Sequence, residues 1–277
     1  MQITQSAQVV TVRIENITAD WEQWFLLTSD VHFDSLYCKR DKLKWDFEQA
    51  KKKNAGIIIA GDWYDAMQGR ADPRREMDDL RPEFRRSDYY DFVVTESARF
   101  LDSYKDNLVM ISHGNHETSV IIHAGTDLTE RLVGELRRNG SPVCKGGYGG
   151  WIKFMLIFGT RKSINMKYHH GKTGNAPVTK GLIEANRQAT YLPDADVVLN
   201  GHNHEKYIVE QPRERLSNKG KVYEDSLWFI RTAGYKGGYI EGEKFSVEKG
   251  SPKPTGSVWM ILSLYSDKIH MNFQTLS

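Results

Sequence analysis

The sequence is poor in cysteine, has no long apolar run and shows no marked excess of either charge. Its two cysteines, Cys38 and Cys144, are too few for a disulfide scaffold, which favours a reducing compartment or indifference to redox conditions. No apolar run approaches the ~20 residues that a membrane-spanning helix needs, and the opening MQITQSAQVV lacks the pattern of a secretory signal. The formal net charge of +2 excludes a basic nucleic-acid coat or an acidic tail as a global feature. These absences predict a cytoplasmic globular protein with no membrane partner.

The 277 residues alternate between short apolar runs and amphipathic stretches, which is typical of an α/β fold. Runs at 56–60 and 108–111 are wholly apolar, as strands buried on both faces are. Stretches at 36–53 and 128–138 place apolar residues at helical spacing among charges. Further strands are predicted at 9–14, 24–28, 151–158, 164–168, 197–199, 227–232, 258–264 and 269–273, and further helices at 89–104 and 178–190. We expect a single domain over 1–277.

Two parts of the chain depart from this alternation. Segment 72–88, within an expected charged insertion at about 66–90, carries five arginines and six acidic residues. It predicts a solvated, salt-bridged helical insertion, and a lobe that contacts substrate or a partner is the alternative. The part at about 206–277 is predicted to be rich in β-structure, its late strands completing a second sheet packed on the first. Within it, 244–256 is predicted to be a surface loop.

Five of the strand-like runs lead directly into groups of residues that bind metals. Because parallel strands of an open α/β sheet present their carboxyl ends to one crevice, we expect the five groups to converge there. Their glycines allow sharp turns and close approach of the backbone. A single group of this kind is ordinary, whereas five in succession predict a metal site. The groups are Asp30-Val31-His32, Gly61-Asp62, Gly114-Asn115-His116-Glu117, His169-His170-Gly171 and Gly201-His202-Asn203-His204.

Together these groups resemble the five-block signature of the calcineurin-like metallophosphoesterase superfamily, over about residues 28–204. The run 194–204, preceded by His170-Gly171, is also similar to uncharacterised bacterial and phage members. The resemblance implies an α/β fold, a four-layer α/β/β/α sandwich of two mixed β-sheets flanked by helices. It also implies a two-metal centre at the strand ends.

The same resemblance implies which residues hold the two divalent ions. One set is Asp30, His32, Asp62 and His204, and the other is Asp62, Asn115, His170 and His202, with Asp62 bridging the ions. We favour His170 because the ligand histidine directly precedes glycine in similar sequences, and His169 is the alternative. Imidazole, carboxylate and amide ligands suit Mn²⁺, with Fe, Zn²⁺ or Mg²⁺ as alternatives.

The implied reaction is hydrolysis of a phosphate ester by a hydroxide that bridges the two ions. His116 is expected to donate a proton to the leaving oxygen or to stabilise it, and Glu117 to orient or polarise that imidazole. A helix-starting acid is the other interpretation of Glu117. His113 and His123 are assigned to structural or supporting roles and His270 to the surface, and both cysteines are taken as structural.

The substrate is predicted from departures from a related pattern. Ser/Thr protein phosphatases of the superfamily typically carry Gly-Asp-x-x-Asp-Arg-Gly, but Ala66 and Met67 stand in place of Arg-Gly, and Ser112-His113 in place of a basic residue. The block 61–65 is closer to that of double-strand-break repair nucleases. We therefore expect a phosphodiesterase or nuclease acting on DNA, RNA or nucleotides. A phosphomonoesterase acting on small molecules or phosphoproteins is the alternative, and a non-catalytic metal-binding scaffold is a remote third.

Three aromatic residues near the predicted site have two interpretations. They could stack on a nucleic-acid base or pack in the core. These residues are Trp63, Tyr64 and Tyr168.

Overall fold

The computed structural model describes residues 1–66, 77–171, 179, 181–237, 239–240 and 252–276. Within these ranges the chain forms thirteen strands and five α-helices. The strands are β1 (Gln2–Ser6), β2 (Val9–Ile14), β3 (Glu22–Thr28), β4 (Gly56–Ile59), β5 (Leu108–Ile111), β6 (Cys144–Lys145), β7 (Gly149–Phe158), β8 (Thr160–His169), β9 (Val197–Asn200), β10 (Tyr207–Leu216), β11 (Val222–Arg231), β12 (Val258–Tyr265) and β13 (Lys268–Gln274).

The helices are α1 (Arg40–Lys52), α2 (Tyr89–Asp102), α3 (Asn115–Ala124), α4 (Leu128–Arg138) and α5 (Leu182–Tyr191), with 3₁₀ turns at Pro82–Phe84 and Lys105–Asn107. None of these helices is long and apolar enough to cross a membrane.

The strands build two mixed sheets. The seven-stranded sheet has the order β1-β2-β7-β8-β9-β11-β10, and the six-stranded sheet has the order β13-β12-β3-β4-β5-β6. In the six-stranded sheet β3, β4, β5 and β6 are parallel, so their carboxyl ends lie at one edge. In the seven-stranded sheet β8, β9 and β11 are parallel in the same way. The predicted site residues follow five of these parallel strands.

Three apolar clusters define four layers. The interior between the sheets contains side chains such as Phe25, Phe154 and Met260. The other side of the six-stranded sheet packs on α1, α2 and α4, and the other side of the seven-stranded sheet packs on α5. Each helix contributes an apolar stripe to its sheet, because burying that stripe is what stabilises an amphipathic helix in a protein. The predicted α/β/β/α sandwich of two mixed sheets is confirmed.

The late strands do not form a sheet of their own. The hairpin β10–β11 extends the seven-stranded sheet, with β11 parallel to β9. The hairpin β12–β13 extends the six-stranded sheet, with β12 antiparallel to β3. The expectation that these strands complete one second sheet was therefore wrong, because each hairpin pairs with the open edge of a different sheet.

The described part of the charged segment is not a solvated helix. Residues 72–76 lie outside the described ranges, and from Met77 onward the chain makes turns and the 3₁₀ turn Pro82–Phe84. Phe84 is buried in the core, and the Arg81 guanidinium donates to the backbone carbonyls of Ser35 and Cys38. This part is fastened to the loop before α1. Within the predicted loop 244–256, residues 244–251 lie outside the description, as do 178 and 180 of the helix predicted at 178–190.

Candidate metal centre

The five predicted groups lie in loops that follow parallel strands, here called the carboxyl-edge loops: 29–34, 60–66, 112–117, 169–171 and 200–204. Backbone hydrogen bonds join these loops. The amides of Asp30 and Val31 donate to the carbonyls of Gly61 and Asp62, at 3.0 and 2.8 Å. The amide of Gly201 donates to the His170 carbonyl at 2.9 Å. Residues distant in sequence are therefore held at one edge of both sheets.

Backbone strain is concentrated in these loops. Positive φ is uncommon for residues other than glycine and costs of order 1–3 kcal/mol where a side chain must be accommodated. Five of the seven predicted metal ligands have φ between 49° and 74°. They are Asp30, His32, Asp62, His202 and His204. The surrounding hydrogen bonds fix these conformations, which turn the side chains toward a common point.

Two glycines permit the close packing of the loops. A Cβ on Gly201 would lie 2.5 Å from Oδ2 of Asp30, and one on Gly114 would overlap the Asp62 carboxylate. Any larger residue at either position would displace a predicted ligand.

The first group of candidate ligands is formed by Asp30, His32 and His204, whose donor atoms lie within 4.8 Å of one another. Nε2 of His32 is 3.3 Å from Nε2 of His204, and Nε2 of His204 is 3.5 Å from Oδ1 of Asp30. Two imidazole nitrogens that face each other in this way can bind a shared cation. This donor set suits a divalent transition metal.

The second group is formed by Asp62, His170 and His202, again within 4.8 Å. Nε2 of His170 lies 3.0 Å from Oδ2 of Asp62. Oδ1 of Asn115 lies 2.7 Å from Nδ1 of His202 and 3.1 Å from Nε2 of His170, so the predicted amide ligand joins this group. The two groups are contiguous, because Nε2 of His170 is 3.9 Å from Oδ1 of Asp30.

Of the two adjacent histidines, His170 is the one whose ring enters the cluster. It is fully buried, and its Nδ1 lies 2.9 Å from the Ala60 carbonyl, which leaves Nε2 toward Asp62 and Asn115. His169 instead accepts a hydrogen bond from the Gly171 amide and contacts the ring of Tyr148.

The charges of the cluster are strongly coupled. Burial opposes ionisation of His170, but the carboxylates of Asp62 and Asp30 outweigh it and raise the pKa of His170 to about 10. Burial likewise opposes ionisation of Asp30, but His170 and His204 lower its pKa to about 2. The buried carboxylates are thus held charged by imidazolium, a role that a metal ion takes over when it displaces the proton.

Asp65 lies behind the cluster and contacts the ring of His32, a role that the sequence motifs did not predict. Its Oδ1 lies 2.8 Å from Nδ1 of His32, and both of its oxygens lie 3.2 Å from Nζ of Lys236. Burial opposes its ionisation, but Lys236 and His32 hold the pKa of Asp65 well below its usual range. A carboxylate behind a metal-binding histidine fixes the orientation of its ring. The position of Asp65, three residues after Asp62, is the feature of the sequence that could have predicted this role.

His116 lies at the border of the cluster, with its side chain 14% exposed. Its Nδ1 is 2.5 Å from the Asp65 carbonyl, and its Nε2 is 3.9 Å from Oδ2 of Asp62. Because a carbonyl only accepts, Nδ1 carries the hydrogen, and Nε2 is the atom that faces the cluster.

Glu117 has a different environment from the expected one. Its carboxylate accepts from the backbone amides of Gly114, Asp62 and Tyr64, at 2.7, 3.1 and 3.0 Å. Burial and Asp62 raise its pKa to about 8, against the opposing effect of these donors. The expectation that Glu117 orients the His116 imidazole needs correction: both of its oxygens are used to hold the loop of Asp62 and the first turn of α3. Its other interpretation, a helix-starting acid, matches the hydrogen bond that it accepts from the amide of Gly114, the residue that precedes α3.

The three aromatic residues proposed for base stacking are core residues. Trp63, Tyr64 and Tyr168 are at most 2% exposed. Trp63 stacks on Phe33 under the helices of the six-stranded sheet, so no base can reach it. His113 is held by Asp127 at 2.9 Å, and the two cysteines are buried and unpaired.

Comparison with known proteins identifies the family. The family model for calcineurin-like phosphoesterases matches residues 24–206, which include all the carboxyl-edge loops. The chain belongs to that family and is a metal-dependent phosphoester hydrolase. No curated protein matches the chain in sequence.

Solved structures give weaker likenesses. Vacuolar protein sorting 29 from Cryptosporidium parvum is 13% identical, with a TM-score of 0.40 over 93% of this chain and 100% of that one. A conserved uncharacterized protein of Streptococcus pneumoniae, described as a predicted phosphoesterase, is 13% identical, with a TM-score of 0.33 over 93% and 91% of the chains.

Proposed function

We propose that this chain is a phosphodiesterase that uses two divalent ions, Mn²⁺ being the expected metal, to cleave nucleic acids or nucleotides. The observation that carries the proposal is the pair of contiguous ligand groups, Asp30–His32–His204 and Asp62–His170–His202, with the Asn115 amide in contact with the second. When bound, two such ions neutralise phosphoryl oxygens and lower the pKa of a water toward neutrality. Asp62 is proposed to bridge them, since its two oxygens can each serve one ion.

The residues around the ions are proposed to position and protonate the substrate. His116 presents Nε2 toward the cluster while the Asp65 carbonyl keeps the hydrogen on Nδ1. A protonated His116 can then donate from Nε2 to the leaving oxygen, a contribution of about 10²–10⁴ in rate. Glu117 contributes by holding the Asp62 loop, and not by contact with that imidazole.

At the described positions where the phosphatase pattern carries basic residues, this chain has no arginine or lysine to hold a phosphomonoester, which supports a preference for a diester. A phosphomonoester carries about −1.5 to −2 charges near pH 7. Ala66 is buried where the phosphatase pattern has arginine, and His113 is held by Asp127. The nearby Lys236 is engaged by Asp65. A diester, with one negative charge, makes less demand on these positions.

The test compares bis(p-nitrophenyl) phosphate with p-nitrophenyl phosphate, each with Mn²⁺ and with EDTA. We expect faster turnover of the diester, loss of turnover in EDTA, and a fall in kcat of about 10²–10⁴ for His116→Ala. His270→Ala, on the exposed face of β13, is the matched control and should keep full activity.

Faster monoester turnover would move the assignment to a phosphomonoesterase. Metal binding without turnover of either ester would favour the non-catalytic scaffold.

A further inference from the structure

The outward face of β1, β2, β7 and β8 is an ordered surface beside the part of the sheet that α5 covers. Cross-strand register aligns its residues in three rows, here called the four-strand face. The rows are Ser6–Val9–Trp151–Lys167, Thr4–Thr11–Lys153–Asn165, and Gln2–Arg13–Met155–Ser163. Every one of these side chains is partly or fully exposed.

The four-strand face contains cations, neutral polar groups and the apolar side chains of Val9, Trp151 and Met155, but no carboxylate. Its cations are Arg13, Lys153 and Lys167, in a chain with 36 acidic residues. Arg13 pairs with Glu15 just beyond the rows. In the part of the chain that the structure describes, Lys153 and Lys167 have no carboxylate partner. Nζ of Lys167 instead lies 5.3 Å from the centre of the Trp151 ring.

Helix α5 covers only the other half of this side of the sheet. Its Ala185 packs with Val198 of β9 and Phe229 of β11, and Trp151 touches this cluster at its border. The four-strand face begins at that border and extends to the sheet edge at β1.

We propose that the four-strand face binds a segment of single-stranded nucleic acid and leads it to the metal centre, an inference that rests on the proposed function. Lysines without carboxylate partners attract phosphates, and hydroxyl and amide side chains between them can donate to phosphate oxygens. A part-exposed tryptophan on a flat sheet offers a stacking surface for a base. Because stacking on an aromatic ring needs an unpaired base, this face suits a flexible single strand better than a duplex.

The face is continuous with the site through β8. Lys167 is three residues before His170, which is about 10 Å along an extended chain. A strand bound across Lys153 and Lys167 therefore has its next phosphates close to the carboxyl-edge loops. This path explains how a chain with a net charge of only +2 can hold a polyanionic substrate.

The test measures binding of a fluorescein-labelled 20-nucleotide single strand by anisotropy, in EDTA, over a series of salt concentrations. Lys153→Gln combined with Lys167→Gln should weaken binding roughly tenfold at low salt. It should also reduce the slope of log K against log salt by about 1.4, since each phosphate contact on a single strand contributes about 0.7. The matched control is Lys51→Gln with Lys52→Gln, which removes the same charge from the exposed end of α1.

The outcomes separate the two proposals. Equal weakening by both double variants, no binding by the wild type, or equal competition by poly-glutamate would overturn the four-strand face as a nucleic-acid surface. Turnover of bis(p-nitrophenyl) phosphate with Mn²⁺, measured separately, tests the proposed function and should be the same in both double variants.

Discussion

The carboxyl-edge loops directly follow strands that line the interior between the sheets, yet the two regions differ in composition and in backbone conformation. In β3, Phe25 and Leu27 enter an interior made of apolar side chains. Three residues after Leu27, Asp30 is fully buried, charged and in the left-handed region of φ. Burial of apolar side chains in the interior stabilises the fold, whereas backbone strain and desolvated charge in the loops destabilise it.

This contrast separates the part of the molecule that provides stability from the part that provides chemistry. Sites that bind metal or substrate commonly carry local strain that the rest of the fold offsets. Changes in the loops should therefore alter metal binding and turnover with modest effects on unfolding. Changes in the interior should lower the free energy of unfolding with little effect on metal binding or turnover.

The largest effect is expected from Asp62→Asn, which removes the proposed bridging carboxylate. Asparagine tolerates the φ of 50° at this position, so the fold should persist. We expect bound metal to fall below two ions per chain, by elemental analysis, and turnover to fall to background. Asp225→Asn, which alters a partly exposed pair with Arg213, is the control. Full turnover with two ions retained would show that Asp62 does not bridge.

Phe154→Ala addresses the interior. Phe154 is fully buried between the sheets and contacts the ring of Phe25, with 4.8 Å between ring centres. Truncation should lower the free energy of unfolding by about 3–5 kcal/mol, measured in urea, while kcat on the small diester stays unchanged. Ile157→Ala, half-buried on the other face of the same strand, should cost about 1 kcal/mol. A large fall in kcat in Phe154→Ala would mean that the effects on stability and on turnover cannot be assigned to separate regions.

The sequence was most informative where structure is local. Alternation over 9–14 predicted β2 and an apolar run over 108–111 predicted β5, both with the bounds that the structure has. The polar residues that follow the predicted buried strands do gather at one edge. The pairing of the late hairpins was not predictable, because the sequence of a strand does not record which sheet it joins. The burial of Trp63 depends on helices packed over it, which the motif does not encode.

The role of Lys236 at the site was not predicted, because only long-range contacts bring it there. Lys236 contacts Asp65 across 171 positions in sequence and lies beyond the family match. Its position follows from the hydrogen bond between the Tyr235 amide and the Asp30 carbonyl, which only the folded chain brings together.

Lys236→Met tests whether this distant lysine supports the loops. Loss of the ammonium leaves Asp65 with one partner fewer, which should loosen the orientation of His32. We expect metal affinity or kcat to fall by about 10–100-fold, with Lys236→Arg restoring part of the loss. Arg213→Met is the matched control, since Arg213 pairs with Asp225 on the hairpin β10–β11. Equal effects of the two methionine variants would indicate a merely structural ion pair.

The smallest effect is a pH dependence that differs with and without metal. In EDTA, His170 has a folded pKa of about 10 against about 6.5 when unfolded. Its stabilisation is therefore fully present below pH 6.5 and is lost as pH rises toward 10. The thermal midpoint in EDTA should fall by several degrees between pH 7 and 9.5. With saturating Mn²⁺ the midpoint should be higher and should not show this fall, because a metal ligand is already deprotonated. Parallel curves in both conditions would contradict the placement of His170 at the metal.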